Sequence, residues 1–418
     1  MPQTHVAMKR ASVGLALLLV TAGCGDRTGF EKPGSSTSRS RRGDTVFVTT
    51  KGDGVWGPAH DAVEEFRVPA NSKETTFGQI GAIAATGDGG VLVYDTKAPE
   101  GKILRQFDSA GKFVRNIGHE GRGPGEYSGE MMTIAESHGA IVIRDVVARI
   151  INRYGPDGKS LGGFSIGHSA GIGDVAVGDD GSIYTAAPRA VARPVQGPPT
   201  GQPLFHYDPT GQLLDSVPGK PWLISAASRG GYSPYAAHEI RFALADGRVV
   251  VGRTDKLGFL IFDPVGKSPA LVAEHTVPPV PYLNDELKQR QKSQQAEVHI
   301  SVDGERIQNP SAASSIPKFK LPLLTIHGDI DGRIWISTPG PSEKVPERCT
   351  AWVDERCIAN GSYGQSISFM VFQSDGAFLG EIRFPKRTAQ RAYFGNHAWM
   401  IVRDSDDVPT LARFRLNK

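Results

Sequence analysis

The stretch GGVLVYD at 89–95, followed by KILRQFDSAGKFV at 102–114, decides the fold of this 418-residue chain. A second copy follows, with GAIVIRD at 139–145 and RIINRYGPDG at 149–158. Each copy contains short apolar runs separated by Gly- and Asp-containing turns, which is typical of antiparallel strands. A single meander of this size cannot bury both of its faces, so we expect neighbouring copies to stack on one another.

Weaker copies continue along the chain and bring the number of units to six. The six units begin near residues 78, 128, 173, 241, 323 and 391. The last unit contains only three strands, whereas the strand at 63–68 belongs to no unit. We therefore predict an all-β, six-bladed β-propeller over 45–418 in which the N-terminal strand closes the last blade, because closure removes an exposed sheet edge.

An insertion at 281–320 separates units four and five, and it contains a stretch rich in helix-forming residues. We predict a partly helical insertion here. It is either a lid or partner-docking helix, or a solvent-exposed segment without a role. Cys349 and Cys357 lie in a second insertion, within unit five. We expect them to form a disulfide if the chain is exported, because their spacing does not fit a metal site or a redox pair.

Residues 1–23 have the layout of a secretory signal, with Lys9 and Arg10 before an apolar run at 11–20. The run is shorter than the roughly 20 residues that a membrane-spanning helix needs. The small residues just before Cys24 resemble a bacterial lipobox, which implies cleavage before Cys24 and lipidation of it. The alternative is an ordinary signal peptide with an incidental cysteine.

A polar segment at 24–44 follows and is predicted to be a flexible tether. Gly25 directly after Cys24 favours sorting to an outer membrane. We therefore expect an exported protein that is anchored to a bacterial membrane, with translation starting at Met1 or Met8.

The overall charge excludes one class of partner. Lys and Arg number 47 and Asp and Glu number 44, which gives a formal net charge of +3. Nucleic-acid-binding proteins need a concentrated basic face, so we expect no nucleic-acid partner.

Charged residues follow the apolar runs that we expect to approach the central channel. They are Asp95, Arg144, Asp145, Arg253, Asp255, Arg403 and Asp404. If strand ends converge at the channel mouth, these side chains would form a ring that binds an anionic or carbohydrate-like ligand. Ion pairs between blades and turn capping are the alternative roles.

Two motifs carry a resemblance to a known family. In unit two, Asp145 and Arg149 precede Tyr154 and a Gly-containing turn, which resembles the core of an NHL repeat. The segment IGHEGRGPGEY at 117–127 is similar to the junctions of bacterial six-bladed β-propellers related to NHL repeats. The resemblance implies the fold, but propellers host many activities, so function does not transfer with it.

Two functions follow as hypotheses. The first is a lipoprotein that binds a protein, peptide or glycan at one face of the propeller, without catalysis. The second is a metal-dependent hydrolase or lactonase, or a lyase, that uses Ca²⁺ or Zn²⁺ in the central channel. The sequence contains no Gly-x-Ser-x-Gly elbow and its histidines show no repeated register, so we assign no catalytic residue and no metal ligand.

Overall fold

Glycine and aspartate turns divide the chain into short strands, and most of these strands pair with their sequence neighbours. Glycines occupy the left-handed turn positions that other residues rarely adopt, such as Gly89, Gly111 and Gly158. The computed structural model describes residues 36–121, 123, 125–128, 132–146, 148–166, 175–186, 204–217, 235, 237, 239–263, 268–296, 298–300, 306–308, 316–345, 349–353, 356–359 and 363–416.

Four N-terminal strands precede the ring, and the first three blades then follow in chain order. The N-terminal segment contains β1 (Ser36–Arg42), β2 (Thr45–Lys51), β3 (His60–Asp61) and β4 (Val63–Arg67). Blade one consists of β5 (Ile80–Ala85), β6 (Val91–Ala98), β7 (Gly101–Phe107) and β8 (Phe113–Ile117). The connection to blade two contains β9 (His119–Glu120) and β10 (Glu126–Tyr127). Blade two consists of β11 (Met132–Ser137), β12 (Ala140–Asp145), β13 (Ile150–Tyr154) and β14 (Ser160–Ser165). Blade three consists of β15 (Val175–Val177), β16 (Ile183–Ala186), β17 (Leu204–Tyr207) and β18 (Leu213–Val217).

The second half of the chain forms blades four to six. Blade four consists of β19 (Glu239–Ala243), β20 (Val249–Arg253), β21 (Gly258–Phe262) and β22 (Leu271–Thr276). The insertion contains α1 (Asn284–Ala296), β23 (Val298–Ile300) and β24 (Arg306–Gln308). Blade five contains β25 (Thr325–Gly328), β26 (Ile334–Lys344), β27 (Cys349–Val353), β28 (Arg356–Ala359), β29 (Tyr363–Phe372) and β30 (Phe378–Arg383). Blade six contains β31 (Thr388–Phe394), β32 (His397–Arg403) and β33 (Pro409–Arg415).

The blades close into a ring, and the core lies between them. Six clusters of buried apolar side chains occupy the six interfaces between consecutive blades. The interface that closes the ring joins blade six to blade one, where Trp399 and Ile401 pack with Val91 and Val93. The protein is therefore a six-bladed β-propeller, as the sequence predicts, and its described residues include one helix, in the insertion between blades four and five.

The N-terminal segment closes the ring and also runs along its outside. Strand β4 pairs with β33 and supplies the fourth strand of blade six, which confirms the predicted closure. Before that, β3 pairs with the outer strand of blade five and β2 pairs with the outer strand of blade four. The segment therefore holds three consecutive blades by backbone hydrogen bonds.

The tether prediction is wrong for part of its length. Residues 36–42, predicted as part of a flexible tether, form β1, which pairs with β2 along all seven residues. All of its side chains are exposed, so backbone pairing rather than apolar burial holds it in place. Residues 1–35, including the predicted signal peptide and Cys24, lie outside the described residues. Within the described part of the chain, no helix has the length and apolar character that crossing a membrane requires.

Candidate functional site

The two faces of the propeller differ in their connections. Because neighbouring strands within a blade are antiparallel, the connections from second to third strands and from one blade to the next lie at the same face. We call this the loop face, and we call the opposite side the turn face. Among the described strands, those that flank the long connections at 187–203, 218–238, 277–324 and 345–362 end and begin at the loop face.

The loop face carries a projecting ribbon on blade five. Strands β26 and β29 continue past the blade, where Lys344 still pairs with Tyr363. Helix α1 contacts the base of this ribbon through Glu286, which is 1% exposed and accepts a hydrogen bond from the Ser342 hydroxyl at 2.5 Å. Arg290 donates to the same carboxylate at 3.0 Å. These hydrogen bonds hold the pKa of Glu286 below its usual value against the opposing effect of burial.

Asp95 lies within β6, the second strand of blade one, and holds the segment that leads into the blade against it. Its carboxylate accepts hydrogen bonds from the amides of Gly78 and Gln79, both at 2.9 Å, and from the amide of Lys97 at 3.0 Å. Arg105 lies 3.6 Å away, and both side chains are fully buried. In this structure Asp95 therefore binds the protein's own backbone rather than a ligand.

Asp145 has the same role in blade two. It accepts hydrogen bonds from the amides of Ser128 and Ala148, both at 2.8 Å, and it is fully buried. Its neighbour Arg144 is also fully buried. The alternation of β12 directs Arg144 toward blade three, since Val142 packs there. Asp95, Arg144 and Asp145 all lie in second strands, not in the innermost strands as the sequence suggested, and none of them is open to the channel mouth because all three are fully buried.

The packing faces identify the residue equivalent to Asp95 in other blades. Val91 and Val93 of β6 pack toward the preceding blade, and Asp95 continues that alternation. The same alternation identifies the equivalent residue in the other described second strands, and we call this the staple position. Its residues are Asp95, Asp145, Arg253, Thr338 and Val402. Only blades one and two have a carboxylate at this position among these five.

In blade four, charged partners surround the staple position. Arg253 donates to the Asp255 carboxylate at 2.9 Å, which raises the pKa of Arg253. Glu239, its register partner, accepts a hydrogen bond from Arg241 at 3.1 Å. Burial raises the pKa of Glu239 despite these arginines. The predicted residues Arg253 and Asp255 are therefore paired with each other within blade four, not between blades.

Blade six has an open pocket of about 280 Å³, lined by Arg387, Thr388, Ala389, Arg403 and Asp407, and its staple residue Val402 is buried and does not line it. The predicted residue Arg403 lies here and donates to the Asp407 carbonyl at 2.9 Å. Arg387 and Asp407 form a loose ion pair at 3.6 Å. The predicted residue Asp404 caps its own turn, since it accepts hydrogen bonds from the amides of Asp406 and Val408, both at 2.9 Å.

Backbone conformation marks the same pocket. Four non-glycine residues among those described have a left-handed backbone, and two of them, Arg387 (φ 66°) and Asp407 (φ 68°), line this pocket. Such conformations are uncommon outside glycine. Sequence reasoning missed both residues, because they lie in connections that contain no apolar pattern.

Histidine, cysteine and carboxylate side chains are the candidates for a metal site and for the predicted disulfide. Within the described residues, no group of three or more His, Cys, Asp and Glu side chains is arranged to hold a metal ion. Two histidines are kept neutral, because burial lowers the pKa of His275 and of His327 to about 4. Cys349 is the register partner of Ala359, and Cys357 is the partner of Trp352. The disulfide between the two cysteines stays a prediction.

Comparison with known proteins supports the fold. A family model described as DUF5128, 6-bladed beta-propeller, matches residues 71–163. No curated protein sequence shows significant similarity to the chain.

Solved structures match the chain over most of its length at low sequence identity. A member of the duf4221 family from Bacteroides vulgatus is 11% identical, with 85% of this chain and 98% of that chain covered and a TM-score of 0.50. A Bacteroides fragilis structure described as a "Putative exported protein" is 11% identical, with 89% and 100% covered and a TM-score of 0.49. A catalytically inactive virginiamycin B lyase from Staphylococcus aureus is 11% identical, with 85% and 98% covered and a TM-score of 0.39. At these identities the likeness concerns the fold alone.

Proposed function

We propose that this protein is an extracytoplasmic lipoprotein that binds a ligand or a partner protein through the loop face of its propeller. The observation that carries the proposal is that the described strands flanking the connections at 187–203, 218–238, 277–324 and 345–362 all end or begin at that one face. Binding residues are often found on loops that a rigid scaffold positions, and a closed propeller is such a scaffold.

The ribbon of blade five supports a role in recognition. Glu286 joins the ribbon to α1, and Lys320 donates to the Gly340 carbonyl at 2.9 Å and to Gln365 at 2.8 Å. A projection that is braced at its base is already ordered before a partner arrives. Less conformational entropy is then lost on binding.

The N-terminal sequence supports the export and anchoring part of the proposal. Residues 11–20 form a short apolar run after Lys9 and Arg10, and small residues precede Cys24. Several acyl chains on one cysteine would hold the protein stably at a membrane, since a single chain binds only marginally.

The binding proposal is tested by crosslinking in cells with three proteins. They are the wild type, a variant in which 345–362 is replaced by a short Gly-Ser turn, and the turn-face control Lys159→Ala, whose side chain is 85% exposed. We expect the wild type and the control to yield the same identified partner, and the ribbon variant to lose it. Recovery of that partner with the ribbon variant would contradict the proposal, as would turnover of a lactone with stoichiometric metal.

The anchor is tested by labelling cells with a radioactive fatty acid. We expect label in the wild type and none in Cys24→Ala, which should leave the membrane fraction. Equal labelling of both proteins would show that Cys24 is not the acylated residue, and no label in either would leave an ordinary signal peptide as the explanation.

A further inference from the structure

We propose that a second pocket, at the outer rim between blades four and five, binds a primary ammonium group carried on a short apolar chain. We call it the rim pocket. It is lined by residues of the loop at 51–59, by residues 275–278, and by Met370, Phe378 and Glu381 of blade five. Its volume of about 330 Å³ is at the small end of ligand sites. The inference goes beyond the proposed function and does not depend on the ribbon of blade five.

Strand alternation brings the two walls of the rim pocket face to face. Ala273 of β22 packs against blade five, and His275, two residues later, points the same way. The His275 ring lies 4.0 Å from the ring of Phe378, measured between centroids. On blade five, Met370 packs toward blade four, and its register partner Glu381 lies on the same face. A histidine, a carboxylate and apolar side chains therefore converge between the two blades.

The N-terminal segment bounds the rim pocket with a loop that its own backbone fixes in place. The Trp56 amide donates to the Leu379 carbonyl at 2.7 Å, and the Gly57 amide donates to the Gly54 carbonyl at 2.9 Å. A Cβ atom on Gly54 would lie 2.4 Å from the Leu379 carbonyl, so only glycine permits this close approach. The loop that carries Asp53 is therefore held against blade five, and the pocket is preformed.

His275 presents a hydrogen-bond acceptor to the rim pocket. The Thr50 hydroxyl lies 2.8 Å from His275 Nδ1 and donates to the Glu274 carbonyl at 3.4 Å. A hydroxyl has one proton, so both bonds form together only if Nδ1–H donates to Thr50. Nε2 then carries a lone pair, and the ring stays neutral because burial lowers the pKa of His275 to about 4. The residue is 7% exposed, and Nε2, which has no partner among the described residues, is not enclosed by protein, so it opens into the pocket that the ring lines.

The charged groups of the rim pocket leave a surplus of acceptors. The half-buried Glu381 carboxylate and the exposed Asp53 carboxylate form no hydrogen bond or ion pair with any described residue. Lys51 also lines the pocket, but it pairs with neither of them. These side chains are not arranged to hold a metal ion within the part of the chain that the structure describes. An ammonium group, which has three donors and no acceptor, complements the two carboxylates and Nε2.

The apolar lining indicates what carries the ammonium group. Met370 and Phe378 are 6% and 7% exposed, and both belong to the core between blades four and five. A short chain of methylene groups can pack against them while its amine reaches the acceptors. A lysine side chain of a peptide and a free aliphatic diamine both have this chemistry.

The test measures the binding of small amines by saturation-transfer NMR. The peptide-like pair is Nα-acetyllysine amide and Nα-acetylnorleucine amide, and the diamine pair is diaminopentane and pentanediol. We expect one or both amines to bind and their neutral analogues to bind roughly tenfold more weakly, because hydrogen bonds to charged groups are lost. The amine that binds more tightly distinguishes a peptide from a free diamine as the source. Equal binding of amines and neutral analogues, or no binding at millimolar concentrations, would overturn the inference.

Variants place the site. Glu381→Gln keeps the shape of the side chain but removes its charge, and we expect it to weaken amine binding roughly tenfold. Glu274→Gln is the matched control, because Glu274 neighbours His275 in β22 but faces the opposite side, where it pairs with Lys256 at 3.2 Å. It should leave binding unchanged. Lys51→Gln removes a positive charge from the lining, so amines should bind at least as tightly as to the wild type.

Asp53→Asn decides the matter if Glu381→Gln does not fold, because Asp53 lies in an exposed position of the loop. We expect it to weaken amine binding about threefold, as for an exposed ion pair. Wild-type affinity in a folded Glu381→Gln protein would overturn the inference. Loss of amine binding in Lys51→Gln would also overturn it, since the lysine rather than the carboxylates would then hold the probe.

Discussion

Replacing Asp95 tests whether a buried carboxylate holds blade one to its linker. Asp95→Ala removes the acceptor of three amide hydrogen bonds and leaves Arg105 without its closest buried counter-charge. Removing one partner of a buried ion pair typically costs about 3–5 kcal/mol. Arg105 keeps Glu100 at 2.9 Å and the Thr76 carbonyl at 3.0 Å, so we expect a loss in the free energy of unfolding near the lower end, about 3–4 kcal/mol.

The assay is urea unfolding followed by the fluorescence of the buried Trp335 and Trp399. Asp404→Ala is the matched control, because its carboxylate also accepts backbone amides at the end of a second strand but is exposed. We expect the control to lose about 1 kcal/mol. A loss below about 1 kcal/mol for Asp95→Ala, or equal losses for both variants, would refute the reasoning.

Three further predictions follow from the fold. Removing residues 1–44 deletes only β1 among the described strands, whose side chains are all exposed, and should leave a folded protein. Removing residues 1–68 also deletes β2, β3 and β4, exposes the edges of β22 and β33 and should cause aggregation, as measured by size-exclusion chromatography. Burial lowers the pKa of His275 to about 4 from an ordinary value of 6.5, so the unfolded chain takes up this proton first as the pH falls. This residue should therefore lower the free energy of unfolding by about 3 kcal/mol between pH 6.5 and pH 4. In His275→Gln that part of the decline should be absent. Urea unfolding at several pH values measures both proteins. Cys349 and Cys357 should be alkylated only after reduction, which mass spectrometry would show, and alkylation without reductant would rule out the disulfide.

The sequence predicts the ring because its strong signals are local. Asp-Gly and Gly turns at 86–90 and 108–112 separate apolar runs, and the same spacing returns in each blade. The closing strand is predictable for a similar reason, since unit six has only three strands and the strand at 63–68 has no partner strand in its own part of the sequence. Strand β1 was not predictable, because STSRSRR at 36–42 has no apolar alternation and is held by the backbone of β2.

The sequence predicts part of the candidate site. It selects Asp95 and Asp145 as unusual, since each ends a buried strand with a charge. It does not show that both turn toward the preceding linker, because that depends on where the linker runs. One usable signal was present: the amide partners Gly78 and Ser128 both lie 17 residues before their aspartates. Arg387 and Asp407 could be found only by aligning blades through their packing faces.

The blades that depart from the repeat are also the blades that the N-terminal segment holds. The outer edges of blades four, five and six are covered by β2, β3 and β4, and the Trp56 amide adds a hydrogen bond to the Leu379 carbonyl at 2.7 Å. Blades one and two need no such support, because internal carboxylates fasten their linkers. Blade six has Val402 in place of that carboxylate, and the pairing of β4 with β33 supplies backbone hydrogen bonds at its outer edge. Binding groups on a rigid element lose less entropy when a ligand arrives, so the covered half of the ring is where we expect recognition.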